Sequence, residues 1–268
     1  MSLLKSLILG IVQGLTEFLP VSSSGHLVIF QELLGVNEPG VLLEIVVHLG
    51  TLVAVVFYFW TDIKKIIKSL FHWGHKTNAH DNYYHNLLLY LLIATAITGF
   101  FGIIFKDFLE PIFENLLLVG FMLLITGVIL YLSDRIKEPK KEKVGPLNSI
   151  IVGIAQSFAI IPGISRSGTT ITSGLFTGLN RDLATKFSFL LSIPAILGAA
   201  IFKYKDLNCL TKSINDLLPY LLSGLAAAIV GYLSIALLVK MIKRAKLVYF
   251  SVYCWLLGIF IIIFSNFI

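Results

Sequence analysis

Charge is what this chain has least of. Asp, Glu, Lys and Arg make up 13% of its 268 residues, about half the share of a soluble globular domain. That excludes a surface wholly in water. Cysteine is nearly absent: Cys209 and Cys254 lie next to or inside apolar segments, which gives no disulfide framework and no metal-ligand spacing. Acidic residues are fewer than basic ones, 15 against 21. The excess sits in short loops between apolar runs, where membrane topology accounts for it and nucleic acid is excluded as a partner. No small-residue cleavage site follows MSLLKSLILGIVQGL, so the start of the chain reads as mature protein and not as a signal peptide.

What is present is hydrocarbon. Hydrophobic residues are 57% of the chain, and they recur in runs of about twenty, the length that crosses a bilayer. Six segments are long and apolar enough to span: 41–60, 86–105, 114–132, 186–202, 217–239 and 247–266. Two stretches break the pattern. The first is QGLTEFLPVSSSGH, Gln13 to His26, and the second is GIAQSFAIIPGISRSGTT, Gly153 to Thr170. Gly10, Gln13, Ser22, Ser24 and Gly25 match Gly153, Gln156, Ser165, Ser167 and Gly168 at a constant offset of 143. Such self-similarity is the mark of an internal duplication. In each copy an apolar helix (3–19, then 147–161) meets a proline, and the apolar piece beyond it (27–34, then 168–179) is too short to span. Each therefore reads as a re-entrant helical hairpin, tolerated at membrane depth only where protein or a wet cavity covers the break.

The expected fold is an all-α integral membrane protein in one domain, with repeat 1 over about 3–135 and repeat 2 over about 146–266. Each half holds one hairpin and three spans, an odd number, so six transmembrane helices and two hairpins form an inverted-topology repeat. Fifteen basic residues fall on one side, in the loops 61–84, 133–146, 180–186 and 240–246, against five on the other. That bias places both termini outside.

Serines and a glycine after a proline break are a helix start in sequence form: Ser22, Ser23, Ser24 and Gly25, then Ser165, Ser167 and Gly168. Free backbone N–H groups and the dipole make such a terminus an anion site. Arg166 stands in the second break, where a lone arginine costs about 2.5–3.5 kcal/mol on insertion scales and needs a partner. Its planar fork suits phosphate oxygens; a buried pair with Glu17 is the plainer reading. Glu17, Ser23 and His26 supply a carboxylate, a nucleophile and a base within ten residues. Glu44 and His48 lie four apart on one face of a span and point inward.

Two likenesses mislead. His72, His75, His80 and His85 keep no ligand spacing and read as a solvated loop. SSGH echoes the PSGH of the lipid-phosphatase superfamily whose other motif is S-R-x5-H-x3-D. Counting from Ser165-Arg166, the required histidine position is Thr172, which excludes that family.

QGLTEFLPVSSSGH and PGISRSGTT, in this order and separation, closely resemble the two signatures of the bacterial undecaprenyl-diphosphate phosphatases, membrane enzymes associated with bacitracin resistance. The likeness continues through LLEIVVHLGTLVAVV and KFSFLLSIPAILGA. It implies removal of one phosphate from undecaprenyl diphosphate and similar polyprenyl diphosphates, at the outer side of the bacterial cytoplasmic membrane, recycling the lipid carrier for cell-wall synthesis. On the matching positions, Glu17, Ser23 and His26 carry the first motif's catalytic roles, and Ser165, Arg166 and Thr170 carry those of the second. Gln13 departs from relatives that have glutamate there. It weakens a two-carboxylate metal site, leaving Glu17 alone to bridge a Mg²⁺ or Ca²⁺ ion to the diphosphate; no organic cofactor is implied. Gln156, Glu44 and His48 are supporting residues. The partners expected are lipid and substrate, with a homodimer left open.

The expected mechanism is in-line attack by Ser23, with His26 taking its proton and Glu17 orienting the imidazole. Ser22 caps the new helix and Ser24 aids anion binding. Water activated by a metal and Glu17 is the alternative chemistry. A polyprenyl-phosphate flippase is the alternative function, since broken helices at the midplane also build transporters.

Overall fold

The structure is a computed structural model describing residues 2–36, 41–71, 79–105, 115–136, 140–203, 214–242 and 247–265. Among them are eleven helices and no strand: α1 (Leu3–Thr16), α2 (Ser23–Leu33), α3 (Val41–Tyr58), α4 (Trp60–Phe71), α5 (Ala79–Ile104), α6 (Leu116–Ser133), α7 (Pro146–Phe158), α8 (Arg166–Phe176), α9 (Arg181–Lys203), α10 (Ile214–Ile242) and α11 (Val248–Phe264). Four of these, α5, α6, α9 and α10, are long and apolar enough to cross a membrane, and α3 with α4 makes a fifth if that bent pair is one span. α11 is apolar but shorter. The protein is a multi-pass, all-helical membrane protein. An exposed belt of Leu, Ile and Phe covers the spans, as hydrocarbon-facing surfaces require.

Parts of the expected loops 61–84, 180–186 and 240–246 are helical: residues 61–71 lie in α4, 79–84 in α5, 181–186 in α9 and 240–242 in α10. Residues 60–71 form α4, bent 80° from α3. Its Ile63, Ile66, Ile67 and Leu70 recur at helical spacing, with Ile66 and Ser69 buried. The stretch 180–186 is the start of α9: the Asn180 side chain accepts from the Leu183 N–H at 2.8 Å, and Lys186 pairs with Asp62 at 2.9 Å. His72 and His75 lie outside the described residues, and so does the side chain of His80.

Both breaks fall where the prolines stand. α1 ends at Thr16 and α2 begins at Ser23; α7 ends at Phe158 and α8 begins at Arg166. Backbone groups freed there find protein partners: Ser167 Oγ donates to Leu19 O at 3.0 Å and Thr126 Oγ1 to Gly163 O at 2.9 Å. Thr126 Oγ1 also accepts from Ser165 N at 3.0 Å. This is how irregular backbone survives away from water.

The halves exchange packing. α1 runs along α10 and α3 does the same, while α7 and α9 lie against α5; α6 pairs with α11. Small residues permit the close approach. A Cβ on Gly10 would sit 2.2 Å from Ser223 O, and one on Gly50 2.2 Å from Gly224 O. The largest core cluster joins the first break to α9: Phe18 is fully buried and meets Phe189 edge-on, centroids 5.4 Å apart.

Candidate active site

Glu17 is the hub. It follows the last residue of α1, is 6% exposed, and takes bonds from both halves. Arg166 Nη2 donates to Glu17 Oε1 at 2.5 Å, from the first residue of α8. Ser23 Oγ donates to Oε2 at 2.5 Å, from the first residue of α2. Gln13 Nε2, one turn back on α1, donates to the same oxygen at 2.8 Å. His48 Nε2 stands 3.7 Å away. Ser23 and Arg166 are equivalent positions of the two copies, and they meet on one carboxylate.

Around that hub the helix starts are alike. Ser22 Oγ accepts from Gly25 N at 3.3 Å and Ser165 Oγ from Gly168 N at 3.1 Å. Ser24 and Ser167 each sit 3.3 Å from their capping serine. With Gly25 and Gly168 committed to the caps, the N–H groups of the first two residues of each helix keep no intrahelical partner. Arg166 Nη1 is buried with no hydrogen-bond partner among the described residues. Such a donor is left open to an acceptor from water or from a ligand. Two helix N-termini and the free guanidinium NH₂ at Nη1 together make an acceptor-seeking site, electropositive apart from Glu17.

The backbone differs between the breaks. Ser22 has φ 68°, the only positive φ outside glycine among the described residues. Ser165 has φ −70°, and the left-handed turn falls on Gly163 at φ 93° instead. A non-glycine residue held at positive φ stores strain of order 1–3 kcal/mol, and here it immediately precedes Ser23.

His26 is not where the sequence reading put it. Its Nδ1 lies 2.8 Å from Ser22 O. A carbonyl only accepts, so Nδ1 carries the proton and the neutral ring's lone pair is on Nε2. That atom faces Tyr253 Oη at 2.6 Å, with the two rings nearly parallel. Ser23 is thus bonded to Glu17, not to His26, and Glu17 does not orient the imidazole. The reason is local: His26 is four residues past Ser22, and its ring folds back onto that carbonyl. Tyr253, on α11, belongs to no motif, and a tyrosine inside an apolar run gave no cue.

Other expected residues are dispersed. Gln156, the counterpart of Gln13, donates to Thr98 Oγ1 at 3.0 Å on α5. Thr170 Oγ1 donates to Arg166 O at 2.8 Å and meets Ser188 Oγ at 2.6 Å on α9. Glu44 and His48 share a face as expected, and the Glu44 carbonyl engages His48 Nδ1 at 2.7 Å. The described residues include no group of three or more His, Cys, Asp or Glu able to hold a metal. Both Glu17 oxygens already have protein partners. These residues do not fit a resident divalent cation.

Buried breaks, exchanged packing and a polar hub inside an apolar belt define a polytopic helical membrane protein with an enclosed polar site. The chain matches the model of the family described as bacitracin resistance protein BacA over residues 6–260, and it belongs to that family. It is similar to proteins named undecaprenyl-diphosphatase from three organisms: Halothermothrix orenii, 43% identical over 99% of both chains; Alkaliphilus metalliredigens, 45% over 99% of both; and Carboxydothermus hydrogenoformans, 44% over 98% of this chain and 97% of the relative.

Proposed function

We propose that the protein is an undecaprenyl-diphosphate phosphatase, releasing the terminal phosphate and leaving undecaprenyl phosphate. Its membership of the family and the names of its relatives supply the substrate. The observation that carries the chemistry is Ser23 Oγ on Glu17 Oε2 at 2.5 Å, beside the buried unpartnered Nη1 of Arg166. A hydroxyl bonded to a carboxylate has its base in place. Terminal phosphate oxygens would meet Arg166 and the starts of α2 and α8, where negative charge grows in the transition state. Ser23 attacks the terminal phosphorus and gives its proton to Glu17; undecaprenyl phosphate departs, and water then hydrolyses the phosphoserine. Purified protein in detergent should release inorganic phosphate from undecaprenyl diphosphate, and Ser23→Ala should not. Binding without release by the unaltered protein would favour a flippase, which needs the anion site but no nucleophile.

The setting proposed is the bacterial cytoplasmic membrane, with six spans and two hairpins as inverted repeats over about 3–135 and 146–266. The exchange of packing between halves supports that symmetry, and the basic residues support termini outside. A cysteine at exposed Glu32, in a background lacking Cys209 and Cys254, should label with an impermeant thiol reagent in intact cells, and one at Lys64 should not. The reverse pattern inverts the orientation. For Mg²⁺ or Ca²⁺ the proposal is confined to substrate: an ion needed for turnover would enter with the diphosphate and not with the free protein. A chelator should then slow turnover without moving the thermal midpoint of the free protein.

A further inference from the structure

The imidazole of His26 is held by the Ser22 carbonyl and Tyr253 and not by Ser23, which leaves a buried base without a task in the first displacement. Nδ1 is fixed as a donor by the Ser22 carbonyl at 2.8 Å. Nε2 therefore accepts, and the donor facing it is Tyr253 Oη at 2.6 Å. Tyr253 comes from α11 and is 44% exposed, while His26 is 4% exposed. The phenol is thus the one continuation that the described hydrogen bonds give to this base. His26 and Ser23 are three residues apart on α2, hence on one face, so whatever reaches Tyr253 Oη stands beside the first turn that carries the nucleophile.

We propose that Tyr253 is a catalytic residue of the second displacement, passing a proton from the attacking water to His26. This rests on the phosphoserine reading above. Water oxygen bonds to phosphorus as the bond from phosphorus to Ser23 Oγ breaks. The water's proton goes to Tyr253 Oη while the phenol's own proton goes to His26 Nε2. Ser23 Oγ recovers the proton that Glu17 took in the first displacement. Inorganic phosphate leaves, Glu17 is again a carboxylate, and imidazolium His26 returns its proton to water by the same phenol. Labour is divided: Glu17 serves the attack by serine, and the His26–Tyr253 pair serves the attack by water.

The test uses the full-length protein in detergent and undecaprenyl diphosphate labelled with ³²P at the terminal phosphorus, quenched in acid. Tyr253→Phe keeps the ring and removes the relay. It should show a burst of about one undecaprenyl phosphate per protein, protein-bound label, and a steady rate lowered about 10²-fold, the range for a lost acid–base group. His26→Gln should label likewise, and Tyr253→Phe with Ser23→Ala should not label. Label in His26→Gln but none in Tyr253→Phe, or a Tyr253→Phe steady rate within twofold of the unaltered protein, overturns the role of Tyr253. The stereochemical course at a chiral terminal thiophosphate separates this from failure of the phosphoserine reading. Retention means two displacements; inversion means direct attack by water, and then the assignment falls together with its premise.

Discussion

The two breaks match in sequence at an offset of 143, yet they do different work. At offset 143 the first copy places Ser23 and the second Arg166, and both side chains end on Glu17. Their caps are interchangeable in geometry, serine to the glycine three residues on. Their turns are not: the second copy gives the left-handed position to Gly163, and the first gives it to Ser22. One break is relaxed and contributes a fixed cation. The other is strained beside the hydroxyl that meets Glu17. Both helix starts keep an N-cap and the free N–H groups of a first turn. They differ in the residue that reaches the hub.

If that division holds, the largest effect belongs to the first copy. Ser23→Ala should lower phosphate release by at least about 10³-fold while diphosphate binding survives, since the nucleophile and its proton are lost together. Its counterpart one residue on, Ser24→Ala, should keep substantial activity. A near-normal rate for Ser23→Ala would make both breaks mere anion cradles.

The second copy should come next. Arg166→Lys keeps the charge and loses the fork; it should cost about 10²–10³ in kcat, the scale of one lost transition-state donor. The steady-state rate with undecaprenyl diphosphate checks it, and retention of half the rate would reduce Arg166 to a counter-ion for Glu17.

Gln13 and Gln156 sharpen the contrast further. Gln13 supports Glu17 directly, whereas Gln156 bonds Thr98. Gln13→Ala should lower kcat several-fold, against near-complete loss in Glu17→Ala, and Gln156→Ala should leave KM unchanged. Equal collapse of Gln13→Ala and Glu17→Ala, with folding intact, would make the two a joint ligand set.

The smallest effects are on stability, read as thermal midpoints in detergent. Ser165→Ala removes a cap from relaxed backbone and should cost about 1 kcal/mol. Ser22→Gly loses a cap too, but relieves a positive φ. It should leave the midpoint level or raised while slowing turnover. Equal losses at both positions would mean that the strain at Ser22 is not stored energy.

Much of this was legible in the residues, for a physical reason. In an apolar chain every polar residue is expensive, so the serines, Glu17 and Arg166 stood out, and their convergence followed from having few other partners. Break positions were legible because proline and glycine act locally. What escaped was set by distance or by competing cues. Tyr253 reaches His26 across 227 positions of sequence, and nothing near it in the chain announces the contact. The stretch from Thr61 to Phe71 reads through its lysines as a loop, although its isoleucines keep the helical period. The role expected for His26 came from residue type, and the ring's actual direction is decided by one carbonyl, Ser22 O, that no side-chain pattern reports.

Glu17 bonded from both copies also bears on how such a protein can arise. Two identical subunits meeting about a twofold axis would bring the same residue to the carboxylate from each side: two serines and no cation, or two arginines and no nucleophile. Either pairing lacks half of what the site uses. Joining the copies in one gene lets position 23 and position 166 mutate separately, so a serine and an arginine can face each other. Made as two separate chains, each stretch would lack the residue that the other brings to Glu17.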